Sequence, residues 1–351
     1  SVYTNWEKTS IEQGFAEENK LFYILTNSRG FTAAQTEKAH KEIAEVVDQV
    51  AKETGKEYLF ISRSDSTLRG HYPLETTILK DEYEKNTGKK IDGEVLCPFF
   101  KEGGRFTIDD VHYVQYDDTL VPAAETEFAK DKTFGYTVSN LKEYVEEKTQ
   151  GAYKKENVTA ISLENIRELN YDKIEEQLLA VEDFNKVIVN AIDYVDAKIF
   201  CVALFRAMKK GKNFMFRTAA AIVKVMGGVS NQPLLTREQM VVKETDNGGI
   251  IVVGSHTDKT TRQMEKLREN KDIAFVELNA TLVNDEAAFA EEVERCLALE
   301  EEYISSGKSV CVYTTRVLIT ADTGDKEDDL RLSVRISDAV QSLVGRLTVT
   351  P

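Results

Sequence analysis

Asp65, Ser66, Thr67, Arg69 and Gly70 crowd together directly after the apolar run Tyr58, Leu59, Phe60, Ile61. A buried strand that ends in such a polar cluster is how open α/β sheets build ligand sites, at the carboxyl ends of their strands. Arg69 presents a forked donor pair that grips a carboxylate or phosphate bidentately, and Asp65 accepts hydrogen bonds from sugar hydroxyls. The two chemistries together suit a ligand that is anionic at one end and hydroxylated elsewhere. The alternative is a capped loop closed on an internal Asp65–Arg69 ion pair, and this stretch by itself does not choose between them.

Two more arginines follow strand candidates. Arg105 sits in the loop Cys97-Pro98-Phe99-Phe100-Lys101-Glu102-Gly103-Gly104-Arg105, where two glycines let backbone approach a ligand closely. Arg29 lies in Thr26-Asn27-Ser28-Arg29-Gly30, after Leu21–Leu25. Arg29, Arg69 and Arg105 are thereby expected at one sheet edge. Farther on, Val252-Val253-Gly254-Ser255-His256-Thr257 runs from a strand into a small-residue turn and then a helix, so that Ser255 and nearby amides can face a phosphate. A plain turn and helix cap fits the same residues. Tyr313-Thr314-Thr315-Arg316 repeats the pattern and is open to the same two readings. Arg217-Thr218-Ala219-Ala220-Ala221 reads as the opening of a close-packed helix, and Asp109-Asp110 and Asp117-Asp118, flanking His112 and Tyr113, as turn chemistry. There is no G-x-x-x-x-G-K-[ST], and no G-x-G-x-x-G follows a strand, so neither a P-loop nor an NAD-dependent dehydrogenase has support.

The elements that must position these residues alternate strand and helix nearly throughout, which predicts an α/β fold of two domains with mainly parallel sheets. Strands are expected at Leu21–Leu25, Tyr58–Ile61, Glu94–Leu96, Val158–Ser162, Lys186–Asn190, Ile250–Val253, Ile273–Leu278 and Ser309–Tyr313. Helices are expected from Ala33 to Thr54, Tyr72 to Asn86 and Asp328 to Leu347. The domains divide as 1–240 and 247–351, with a linker at Gly227–Pro233 and a strong turn at Asp246-Asn247-Gly248-Gly249. A net charge of −15 argues against a nucleic acid or an anionic membrane as partner. No apolar run approaches the roughly 18 residues of a membrane span, and Ser1–Lys20 is too polar for a secretory leader. Cys97, Cys201, Cys296 and Cys311 lack any C-x-x-C pairing and predict reduced thiols in a cytoplasmic protein. The four histidines show no ligand spacing, so no metal site in the chain is expected.

Ser64-Asp65-Ser66-Thr67-Leu68-Arg69-Gly70 resembles the D-S-T-L-R-G signature of the four-carbon acid sugar kinases, which phosphorylate erythronate, threonate or 3-oxo-tetronate with ATP. Further segments are similar to that family in the same order: Asn27-Ser28-Arg29, Gly104-Arg105 through Val111-His112-Tyr113, Glu127-Phe128-Ala129-Lys130-Asp131, Phe216-Arg217-Thr218-Ala219-Ala220, Val253-Gly254-Ser255 and Tyr313-Thr314-Thr315-Arg316. The resemblance covers essentially the whole chain. It implies a substrate-binding N-terminal domain and a nucleotide-binding C-terminal domain, with the active site in the cleft between them and ATP and Mg²⁺ as cofactors. Asn27, Arg29, Asp65, Ser66, Thr67, Arg69 and Arg105 would bind a small anionic sugar acid, and Gly254, Ser255, Thr315 and Arg316 the nucleotide. A homodimer is left open.

Two departures qualify the likeness. The family's opening Asp-Asp-x-Thr-Gly-Ala motif and its closing Gly-Gly-x-Thr-Ser loop are both missing from these residues. The expectation is therefore a chain trimmed at both ends, whose catalytic acidic residue lies N-terminal to Ser1. A non-catalytic sugar-acid binding protein is the alternative.

Overall fold

A computed structural model describes residues 1–241, 244–321 and 323–351. The chain forms two compact units, Ser1–Asn231 and Gln232–Pro351.

The first unit carries ten strands: β1 (Val2–Tyr3), β2 (Tyr23–Ile24), β3 (Ile61–Arg63), β4 (Gly93–Cys97), β5 (Arg105–Ile108), β6 (Val111–Tyr116), β7 (Thr119–Pro122), β8 (Thr159–Ile161), β9 (Asn185–Val189) and β10 (Phe214–Thr218). Its main sheet runs β3-β10-β4-β9-β8, parallel throughout. β4 and β10 are buried along their whole length, because helices cover both faces of a parallel sheet. Side chains alternate across the sheet. Val95, Cys97, Val187, Val189, Phe214 and Phe216 meet Phe200, Leu204 and Ile222 on one face. The opposite face receives Leu96 and Ile188, which pack with Leu141 and Tyr144, and Met215, which packs with Leu79 and Tyr83. By the same alternation Glu94, Lys186 and Arg217 belong to that second face.

The expected helix from Ala33 to Thr54 is present with those limits. Thr32 and Gln35 close a capping box at its start, and Gly55 ends it at φ +65°. The next helix spans Leu74–Thr87. Three expectations fail in this unit. Phe214–Thr218 is an interior strand of the sheet, and the helix begins only at Ala220. Its register with both β3 and β4 gives this short run partners on two sides, which no local pattern could reveal. Arg105, expected in a loop, opens an antiparallel sheet, β5-β6-β7, although Asp109-Asp110 and Asp117-Asp118 do form its turns as expected, with Asp109, Asp110 and Asp117 at positive φ. The strand expected at Tyr58–Ile61 begins at Ile61, and Tyr58 instead meets the Phe60 and Tyr83 rings edge-on at 5.2 and 5.5 Å.

The second unit is a three-stranded parallel sheet, β11 (Ile250–Val253), β12 (Ile273–Leu278) and β13 (Ser309–Thr314), in the order β11-β13-β12. Helices at Glu286–Ser305 and Lys326–Gly345 bury Phe289, Val293, Leu332 and Leu343 against Val276, Leu278, Val310 and Val312. All four cysteines of the chain are buried. Among the described residues, no helix is long and apolar enough to cross a membrane.

Candidate functional site

At the carboxyl end of β3 the chain keeps one more sheet bond, from the Ser64 amide to the Thr218 carbonyl at 2.7 Å, and then leaves in a tight turn. The Leu68 amide returns to the Asp65 carbonyl at 3.2 Å, and Leu68 takes a left-handed φ of +70°. Asp65 is the hub. Its Oδ2 accepts from Arg69 Nε at 2.7 Å and from the Thr67 hydroxyl. Burial pushes the Asp65 carboxyl toward the neutral form, but the Arg69 hydrogen bond and charge, the Thr67 hydroxyl and the Arg29 charge outweigh it and hold its pKa below the usual value. The ion pair expected of a self-closed loop therefore exists, yet it engages only the Nε edge of the guanidinium. Arg69 Nη1 lies 3.8 Å from Asp131 Oδ2.

Arg105 opens β5 and reaches the same place. The Phe128 ring centroid lies 5.0 Å from the Arg69 guanidinium carbon and 5.4 Å from that of Arg105, so one aromatic ring contacts two cations. Burial pulls the Arg105 pKa down while the Asp65 charge raises it. Its Nη1 donates to the Gly103 carbonyl, and its buried Nε has no acceptor. The structure thus gathers Asp65, Thr67, Arg69 and Arg105. Arg29 is exposed and contributes charge at longer range, while Asn27, exposed at φ +55°, accepts from the Gly30 amide and shapes that turn. Ser66 is half-buried within the turn itself.

The three arginines do not share one sheet edge as expected. Arg29 follows β2 of a two-stranded sheet, Arg69 follows β3 of the main sheet, and Arg105 belongs to the antiparallel sheet. That third sheet is brought over by Asn190 at the end of β9, whose side chain bonds Asp110 through both its oxygen and its nitrogen at 2.8 Å.

Sequence reasoning missed Phe128 and misplaced Arg217. The Arg217 guanidinium is buried and donates to Ser64 Oγ at 2.7 Å and to Glu75 Oε2 at 3.4 Å. Glu75 Oε1 in turn accepts from Ser28 Oγ at 2.6 Å, tying the Asn27–Gly30 turn to the main sheet. Both lie in segments that resemble the family, Glu127–Asp131 and Phe216–Ala220, and Arg217 is also a charge between Phe216 and Thr218 in an otherwise buried run.

In the second unit, β11 ends at Gly254 and Ser255, both exposed. Thr257, rather than Ser255, caps the helix Asp258–Leu267. The hydroxyls of Ser255, Thr257 and Thr260 lie 3.1–3.2 Å from one another at that helix start, where the backbone dipole favours an anion. Arg316 donates to the Ser255 carbonyl at 2.5 Å and to the Thr261 hydroxyl at 2.8 Å, fixing the loop. Thr315 turns toward β12, where its hydroxyl contacts the Ala280 amide and the Leu278 carbonyl. Gly254, Ser255 and Arg316 are thus brought together, and Thr315 is not. An open pocket of about 440 Å³ lies beside them, lined by Ile251, Val253, Gly254, Ser255, Thr260 and Met264 among others. Among the described residues, no three His, Cys, Asp or Glu side chains converge as a metal cage would require.

Residues 3–226 match the profile of a sugar-binding N-terminal domain, and residues 250–351 that of a nucleotide-binding C-terminal domain. A solved structure from Salmonella typhimurium LT2, provisionally named a tRNA synthase, is similar in fold: it is 12% identical with a TM-score of 0.57, and the match covers 99% of this chain and 81% of that one. A Haemophilus influenzae protein of the DUF1537 family is 16% identical with a TM-score of 0.48, over 99% of this chain and 81% of that one. A Bordetella bronchiseptica DUF1537 domain, solved with citrate as a domain-swapped dimer, is 16% identical with a TM-score of 0.46, over 99% and 73%. No curated protein matches the sequence. With both profiles spanning nearly its whole length, the chain belongs to the family that joins a sugar-binding N-terminal domain to a nucleotide-binding C-terminal domain, the architecture of the four-carbon acid sugar kinases.

Proposed function

We propose that this protein transfers a phosphoryl group from ATP to a terminal hydroxyl of a small four-carbon sugar acid such as erythronate, threonate or 3-oxo-tetronate. The observation that carries this reading is the cluster of Asp65, Arg69 and Arg105 on the sugar-binding domain, which sets two cations beside a hydroxyl acceptor in a chain that also has a nucleotide-binding domain. Arg69 and Arg105 would hold the carboxylate. Asp65, Ser66 and Thr67 would orient the hydroxyls, with Asn27 and Arg29 at the margin. Gly254 and Ser255 would meet the nucleotide phosphates on a loop held by Arg316, with Thr315 bracing the strand ends behind it.

Phosphoryl transfer asks mainly for alignment and charge neutralisation. Among the described residues no cage for Mg²⁺ is formed, and on this reading its place would be on the nucleotide phosphates.

The test is ATP consumption by the full-length protein across the tetronates. Turnover of at least one, lost in Arg69→Ala while ATP binding persists, supports the reading. Turnover of none would sink it, and binding of a tetronate without turnover would favour a binding protein. Loss of both ligands in Arg69→Ala would mark the arginine as structural.

A further inference from the structure

Four consecutive carbonyls of the Asp65–Gly70 turn are each held by a side chain from a distant part of the first unit. His112 Nε2 donates to the Ser66 carbonyl at 2.8 Å, Tyr136 Oη to Thr67 at 2.8 Å, Tyr144 Oη to Leu68 at 2.7 Å and Arg217 Nη2 to Arg69 at 3.2 Å. All four donors are buried, with His112 and Tyr144 at 0% exposure. They come from β6, from the loop before the Leu141–Lys148 helix, from that helix, and from β10.

Carbonyl and following amide point in opposite directions across a planar peptide. Carbonyls drawn inward at residues 66–69 therefore turn the amides of residues 67–70 outward. The Leu68 amide is spent on the Asp65 carbonyl. Among the described residues, no acceptor meets the amides of Thr67, Arg69 or Gly70. Gly70, at φ +121°, has no Cβ to shield them, and one added there would sit 3.4 Å from Arg217 Nη2.

We propose that His112, Tyr136, Tyr144 and Arg217 are positioning residues for the acceptor substrate. They hold the turn in the form that offers three amides and the Arg69 and Arg105 guanidiniums to an anionic group, so the turn does not have to be ordered when the ligand arrives. This rests on the sugar-acid reading above and names what makes that site selective for an anion. Each of the four acts on the turn through a peptide carbonyl.

Tyr136→Phe and Tyr144→Phe test it, because each removes one donor and keeps its ring. Ile174→Val, in the buried core of the Tyr171–Leu179 helix, serves as a control that loosens the same unit away from the turn. Calorimetric titration with threonate and erythronate, and separately with ATP, is read beside turnover. Each Tyr→Phe change is expected to weaken sugar-acid binding about tenfold and raise its KM, leaving ATP affinity and kcat within twofold, while Ile174→Val changes neither affinity. Unchanged sugar-acid affinity in both tyrosine variants overturns the proposal, as does equal weakening of both ligands or an equal effect of Ile174→Val. A wild-type protein that binds the acid but transfers no phosphate would defeat the kinase reading and leave this test intact; one that binds neither acid would defeat both.

Discussion

Glu94 and Lys186 are register partners on β4 and β9, and their charged atoms meet at 2.7 Å with neither side chain exposed. The lysine ammonium also lies 3.5 Å from the Phe184 ring centroid and 4.2 Å from that of Tyr153, and Tyr72 donates to the carboxylate at 3.3 Å. Burial draws the Lys186 pKa down, and Glu94 draws it partly back. Breaking such a pair leaves an uncompensated charge in the core. Lys186→Met is therefore expected to cost about 3–5 kcal/mol, and Glu94→Leu with Lys186→Met far less. Urea unfolding of both variants checks this, and equal losses would refute it.

His112 gives the first unit a pH dependence of predictable sign. Burial first, then the Arg105 charge, lowers its pKa to about 4, against the pull of the Ser66 carbonyl and Asp65. Its Nδ1 faces the Thr107 hydroxyl at 3.1 Å, which can donate to the neutral ring while Nε2 donates to Ser66. The unfolded chain binds this proton at about pH 6.5 and the folded chain does not, so stability falls as pH drops from there toward 4. The loss is on the order of 3 kcal/mol. His112→Gln, which keeps a donor for Ser66, is expected to flatten that slope in unfolding curves taken from pH 7 to pH 4.

Phe128 keeps two like charges together, and its loss is expected to be felt in ligand binding more than in stability. Cation–π contacts of this kind contribute roughly 0.5–2 kcal/mol. Phe128→Leu should weaken sugar-acid binding about five- to tenfold, with ATP affinity unchanged, by calorimetry. An unaltered acid affinity would show that the ring does not hold the arginines.

Gly248 and Gly249 are neighbours with opposite tolerance. A Cβ on Gly248 would lie 2.1 Å from the Lys308 carbonyl oxygen and 2.6 Å from the Ser309 amide, both backbone atoms that cannot step aside. On Gly249 the nearest atom is Ser309 Oγ at 3.5 Å. Gly248→Ala should destabilise the second unit by about 3 kcal/mol, and Gly249→Ala by less than about 1 kcal/mol, in thermal unfolding.

The elements that the sequence made legible are those whose cues are local. The helix Ala33–Thr54 shows in its apolar stripe Ile43, Val46, Val47 and Val50, and Ile250–Val253 and Ile273–Leu278 are apolar runs bounded by polar turns. What escaped depends on partners far away in the chain. Phe214–Thr218 is a strand only because β3 and β4 flank it, and Arg105 begins a strand because Val114 lies opposite. In the candidate site, Asp65 and Arg69 could be paired by spacing. That Phe128 would lie against both Arg69 and Arg105 could not, since nothing in the residues between them carries that distance.

The donors that hold the Ser66–Arg69 carbonyls lie at positions 112, 136, 144 and 217. During synthesis the turn emerges early and its last anchor, on β10, emerges some 150 residues later. The D-S-T-L-R-G segment therefore cannot hold all four of its anchors until β10 has taken its place between β3 and β4. A chain that ends before β10 contains Asp65, Arg69 and Arg105 but lacks the Arg217 anchor of their turn, so on the function proposed above its acid binding would be weaker than that of the complete first unit.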